Sequence, residues 1–172
     1  MSPIAVSIVL GFVVLVLFAF LVYFAKKRKR HQAKLLLSRL SELAEEQGLV
    51  LSSQDVFSRV AIGLDGIHRK LLVAERVGDH VAETFVIDLH EVRSCSVIKK
   101  YRSDISPIFQ LYPAGILETV SLRFDWTNEK PSTCVNLYSH LHDHQFVAAG
   151  LERRAEDWKA VLSKLRRPPA RA

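Results

Sequence analysis

Cysteine is scarce in this chain. There are two in 172 residues, Cys95 and Cys134, 39 positions apart. They form no C-x-x-C pair, which excludes a disulfide framework and a cysteine-based zinc site; two buried thiols are expected instead. Also missing are a Gly-rich phosphate loop, a dinucleotide fingerprint, an HExxH pair and a nucleophile elbow. Asp88, His90 and Glu91 fit a turn between strands better than a catalytic group. The expectation is a non-enzyme with no cofactor. No internal repeat or low-complexity linker interrupts the chain.

The most conspicuous absence is charge between Ile4 and Ala25, where only Ser7, Gly11 and Tyr23 break an aliphatic and Phe run. At about 1.5 Å per residue such a helix reaches roughly 33 Å, against a bilayer core of about 30 Å. Residues 4–25 are thus expected to be a transmembrane helix. A cleaved signal peptide would carry its charges before a shorter apolar core and end in small residues. A buried core helix is disfavoured by an apolar circumference in so short a chain. Five basic residues follow: Lys26, Lys27, Arg28, Lys29 and Arg30. By the positive-inside bias they predict a single-pass protein of the plasma (inner) membrane, its N-terminus outside and residues 26 onward cytoplasmic. These five also read as membrane-interface residues, with Tyr23 and Phe24 as interfacial aromatics. A spanning helix already accounts for the basic run, so no nucleic-acid partner is needed.

The formal charge of +6 comes from 24 Lys and Arg against 18 Asp and Glu. Without the five at 26–30 the count is 19 against 18. Without Lys164, Arg166, Arg167 and Arg171 as well, it is 15 against 18. The middle of the chain is slightly acidic, which excludes a nucleic-acid footprint running through it.

About 140 residues after the apolar run suffice for one domain with a core. Residues 26–48 read as a basic juxtamembrane segment and an amphipathic stalk helix: Leu36, Leu40 and Leu43 share a face and Gly48 supplies a stop. Packing of this helix on the domain is favoured over dimerisation. Between 58 and 139, "RVAIGLD", "KLLVAERV", "AETFVIDL", "VRSCSVIKKY", "ETVSLRFDW" and "TCVNLYSH" are short, β-branched and partly alternating, with turns at Asp65–Gly66, Gly78–Asp79 and 127–132. Residues 103–115 form a longer loop that has room for one more short strand. The closing stretch "GLERRAEDWKAVLSKLRR" places Leu151, Ala155, Trp158, Leu162 and Leu165 on one stripe, with Arg154 among the polar remainder. Pro168–Pro169 stops this helix, and residues 167–172 read as a disordered tail.

A meander of six or seven antiparallel strands closed by an amphipathic helix with a central Trp resembles the pleckstrin-homology-like (PH/GRAM-like) fold over about residues 55–166. "FVIDLHEVRSCSV" is similar to the strand–turn–strand of bacterial and GRAM-type members, the step being Ile87, Leu89 and Val92, and Trp158 takes the place of the Trp in their closing helix. The resemblance implies an α+β, mainly-β domain: an antiparallel barrel with a C-terminal capping helix. The whole layout resembles small bacterial single-pass membrane proteins with such a cytoplasmic domain. The family binds phosphoinositide headgroups, peptides or proteins and is generally not catalytic. Its lipid-binding members place Lys and Arg around the first hairpin, where this chain has Arg59, Arg69 and Lys70, beside Asp65.

Two further clusters are candidates. Lys99, Lys100 and Arg102, with Tyr101, put three cations at a strand end, suited to acidic headgroups or peptides. His140, His142 and His144 alternate and would share one strand face, a weak zinc candidate without a fourth ligand nearby in sequence; no metal is expected. The expected function is a membrane-anchored cytoplasmic scaffold for a protein partner. Recognition of anionic lipid headgroups is the alternative, and a metal-dependent activity at the histidines a lesser one.

Overall fold

The computed structural model describes residues 3–77, 80–102, 116–128, 130–141 and 147–165. Backbone alone is described at 3–10, 25–26, 28–29, 77, 80–82, 102 and 116. The loop at 103–115, His142, His144 and the tail at 167–172 lie outside the described residues. The chain divides into two compact units, Met1–Leu35 and Leu36–Ala172.

The first unit belongs to α1, a single helix from Pro3 to Glu46. Its apolar side chains are exposed throughout residues 11–24. Among the described residues no helix is long and apolar enough to cross a membrane. This corrects three expectations together: the transmembrane helix at 4–25, the single-pass topology with its N-terminus outside, and the inner-membrane localisation. Lys26, Lys27, Arg28, Lys29 and Arg30 lie beyond the expected span. They continue the helix; Lys27 and Arg30 are exposed.

The second unit opens with the last turns of α1 and continues through β1 (Ser53–Val56), β2 (Val60–Asp65), β3 (Lys70–Val77), β4 (His80–Asp88), β5 (Val92–Arg102), β6 (Ile116–Trp126), β7 (Thr133–Ser139) and α2 (Ala148–Leu165). All pairings are antiparallel between sequence neighbours. The strands form two separate sheets, β1-β2-β3-β4 and β5-β6-β7. The expected closed pleckstrin-homology-like barrel is therefore corrected to two open sheets. The break falls at the β4–β5 corner. Asp88 Oδ1 takes the His90 amide, the Asp88 carbonyl takes the Glu91 amide, and the Leu89 amide turns back to the Arg69 carbonyl. Those groups are spent on the corner, and β5 starts a new ladder with β6.

The first sheet is buried on both faces, and the alternation of β2 and β3 shows how. Val60, Ile62, Leu64, Leu71 and Val73 join a core shared with the second sheet and with Leu151, Ala155, Trp158 and Leu162 of α2. Ala61, Leu72 and Ala74 point the other way, into a smaller cluster with Leu36, Leu40, Ala44 and Leu49. Small residues on that face let the helix approach. Gly63 is the limiting case: a Cβ there would lie 2.8 Å from Leu40 Cδ2 and 2.9 Å from Leu51 Cδ2. The amphipathic leucines of 36–43 thus cover a sheet face of their own chain.

Candidate functional site

The β2–β3 turn is built around a carboxylate. Asp65 is wholly buried, and an isolated charge there would be costly. Its Oδ1 accepts the amides of Ile67 (2.8 Å) and His68 (2.9 Å). Its Oδ2 accepts the Val50 amide at 2.9 Å and lies 2.8 Å from His68 Nδ1. The His68 side-chain bond leads in holding the Asp65 pKa far below the usual carboxylate range, and the backbone amides add to it. Ser52 completes the tie, its amide and hydroxyl both donating to the Leu64 carbonyl and its Oγ accepting the Gly66 amide. One carboxylate thereby fixes the hairpin end to the segment leaving α1.

Arg69 closes this turn with φ of 53°. A side chain in the left-handed region costs about 1–2 kcal/mol relative to the right-handed one, and glycine is the ordinary choice. The conformation is enforced by the Arg69 carbonyl, which accepts the Leu89 amide. Lys70 follows as the first residue of β3, opposite Asp65 and Asp88 in the two ladders. Neither cation has an ion pair among the described residues. Arg59 differs: its Nη2 donates to the Arg76 carbonyl at 2.9 Å, so it stitches β2 to β3.

The strand-end cations are also divided. Lys99 donates to Glu152 of α2 and lies 3.9 Å from Glu156. The Glu152 bond raises its pKa despite burial. This lysine holds α2 to β5. Lys100 is exposed, Tyr101 is 52% exposed, and the Arg102 side chain lies outside the described residues. Among the described side chains of these cations, Arg59 and Lys99 are therefore committed to internal bonds.

Of the histidine triplet only His140 is described. Its amide donates to the Glu118 carbonyl at 2.8 Å, and its Nδ1 is buried without a hydrogen-bond partner among the described residues. Among those residues no group of His, Cys, Asp and Glu is placed to hold a metal. Cys95 is half-buried and Cys134 exposed, so the expectation of two buried thiols is corrected for Cys134. β7 alternates, and Cys134 and Asn136 face outward while Val135 and Leu137 face the core.

Three features escaped sequence reading. Asp55 of β1 accepts Arg154 Nε and Nη2 and Trp158 Nε1 of α2, while the Arg154 guanidinium lies 4.5 Å from the centroid of Phe57. Arg154 belongs to a clamp across 99 residues of chain, not to a free polar face. Glu75 stands directly opposite Glu83; burial, then that neighbour, push its pKa up, against Arg59. Third, the β4 and β5 edges are each bonded on one side only among the described residues. Phe85, Cys95 and Val97 in these strands are only partly buried.

No family model matches the chain, and no curated protein or solved structure is significantly similar to it.

Proposed function

We propose that this chain is a non-catalytic interaction module whose partner is a protein, met along the open seam between β4 and β5. The seam carries the reading. An eleven-residue strand with one edge unpaired among the described residues is a template for a partner's extended segment, backbone bonds giving affinity and side-chain pockets selectivity. Phe85 and Val97 on these strands are half-buried, packed on the core with part of each side chain still accessible. The likeness to pleckstrin-homology-like domains enters this proposal as layout only: two antiparallel sheets followed by a closing helix.

Headgroup binding is the weaker alternative. Arg59 and Lys99 are committed to internal bonds. Arg69 and Lys70, with the exposed Lys100, contribute about 3 kcal/mol at an anionic surface, at about 1 kcal/mol per cation. Millimolar affinity already needs about 4 kcal/mol.

A photo-crosslinking residue at Thr84 or Tyr101 tests the seam, with Glu45 on α1 as control. Protein adducts at the seam positions and not at Glu45 are expected. Adducts to lipid alone, or equal adducts at all three positions, would remove the reading.

A further inference from the structure

A second surface lies at the β2–β3 turn, which meets the β4–β5 corner through the Leu89 amide on the Arg69 carbonyl. Ile67 is 80% exposed, the highest value of any large apolar side chain among the described residues. Val50 is 67% exposed. Both are held by the same anchor, since their amides end on the two oxygens of Asp65. Two aliphatic side chains are thus presented to solvent from a backbone fixed on a buried carboxylate. Next to them stand Arg69 and Lys70, neither in an ion pair among the described residues. His68 is occupied by Asp65, and Asp88, opposite Lys70, receives the His90 amide.

The residue at 69 is the informative one. Its left-handed backbone would suit glycine without strain. An arginine kept in a strained position points to a use for its side chain. A guanidinium is the cation best shaped for a carboxylate, which it binds through two parallel bonds. Aliphatic side chains beside it call for an apolar residue within the same partner.

We propose that this hairpin end is a docking surface for an acidic protein segment carrying an aliphatic anchor residue, with Arg69 pairing the carboxylate and Ile67 and Val50 receiving the anchor. A short segment fits better than an extended polyanion. Outside the basic runs at 26–30 and near the C-terminus, 15 basic residues face 18 acidic ones. A few carboxylates suffice to meet the two local cations, Arg69 and Lys70. This surface uses the side chains of the hairpin end, not the strand edges of β4 and β5.

The test is fluorescence anisotropy of the full chain with a labelled decapeptide of alternating Glu and Leu. A Lys–Leu peptide and phosphatidylserine vesicles serve as comparisons. The Glu–Leu peptide should bind, the Lys–Leu peptide should not, and raising salt should weaken binding. Arg69→Gly and Ile67→Ser should each lower affinity by about fivefold or more. Because Arg69→Gly relieves backbone strain, its melting temperature should hold or rise, which separates lost binding from lost folding. Absence of Glu–Leu binding by the unmodified chain would overturn the proposal, as would unchanged affinity in Arg69→Gly. Arg69-dependent sedimentation with the vesicles and no peptide binding would assign the surface to lipid and also overturn it. Neither result bears on seam adducts at Thr84 and Tyr101.

Discussion

Gly63, Asp65 and Glu75 are within thirteen positions of one another and set three different constraints. Gly63 makes room for a helix. Gly63→Ala should destabilise the chain by about 1–3 kcal/mol, the usual range for overpacking, read as a lower urea midpoint with an unchanged slope. The two leucine ends it would meet have some freedom to move, which places the expectation toward the low end. Asp65 has a folded-state pKa below its unfolded value. Its contribution is present above the unfolded value, near 4, and is lost as pH falls through the folded one. Asp65→Asn should therefore be less stable than the parent at neutral pH, and the gap should narrow on acidification. Glu75 has the opposite sign. Its raised pKa means that folding is opposed while the group is charged and that this opposition disappears as pH falls through the folded value to below the unfolded one. Glu75→Gln should raise the melting temperature at pH 7 and leave it nearly unchanged below about pH 4.

Two elements owe their positions to contacts distant in sequence. α2 buries Leu151, Ala155, Trp158 and Leu162, and polar pairs flank that stripe: Asp55 with Arg154 and Trp158, and Lys99 with Glu152. Trp158→Ala should cost about 3–5 kcal/mol, as for a large aromatic removed from a core. Arg154→Ala should cost about 1–2 kcal/mol, at the low end for hydrogen bonds to a charged group because the pair is partly exposed. Arg153→Ala, on the exposed side of the same helix, should change stability by about 0.5 kcal/mol or less. Urea denaturation of the three variants measures this order, and equal effects for Arg153 and Arg154 would dismiss the clamp. The apolar stripe was legible from its spacings of three and four. Arg154 was not, because period alone cannot tell a polar residue at the edge of a buried face from one facing water.

For the whole molecule, the division at Leu36 makes a concrete expectation. A chain truncated to 34–172 keeps Leu36, Leu40 and Ala44 on the first sheet and should unfold cooperatively. Truncation to 50–172 uncovers Ala61, Leu72 and Ala74. It forfeits the burial of Leu36 and Leu40, about 1.5–3 kcal/mol each, out of a typical total of about 5–15 kcal/mol. This shorter chain should melt lower and bind a hydrophobic dye. Equal melting temperatures would mean that the α1 segment adds nothing to the fold. The same two chains can be carried through the peptide titration and the crosslinking, so that loss of structure and loss of binding are read separately.

Local pattern determined the strand segments, the turns at Asp65–Gly66 and 127–132, the stop at Gly48 and the buried stripe of α2. These follow from side-chain period and from residues suited to tight turns, which act over a few positions. Tertiary structure decided what those elements do to one another. That the strands make two open sheets rather than one closed barrel depends on which strands pair, and β5 pairs with β6 and not with β4. That Lys99 and Arg59 are bonded internally while Arg69 and Lys70 have no ion pair among the described residues depends on which acceptors lie across the fold, Glu152 and the Arg76 carbonyl. A basic side chain looks the same in sequence whether its partner is solvent, a ligand or a carboxylate 53 residues away, because the ion pair forms only after distant segments have packed.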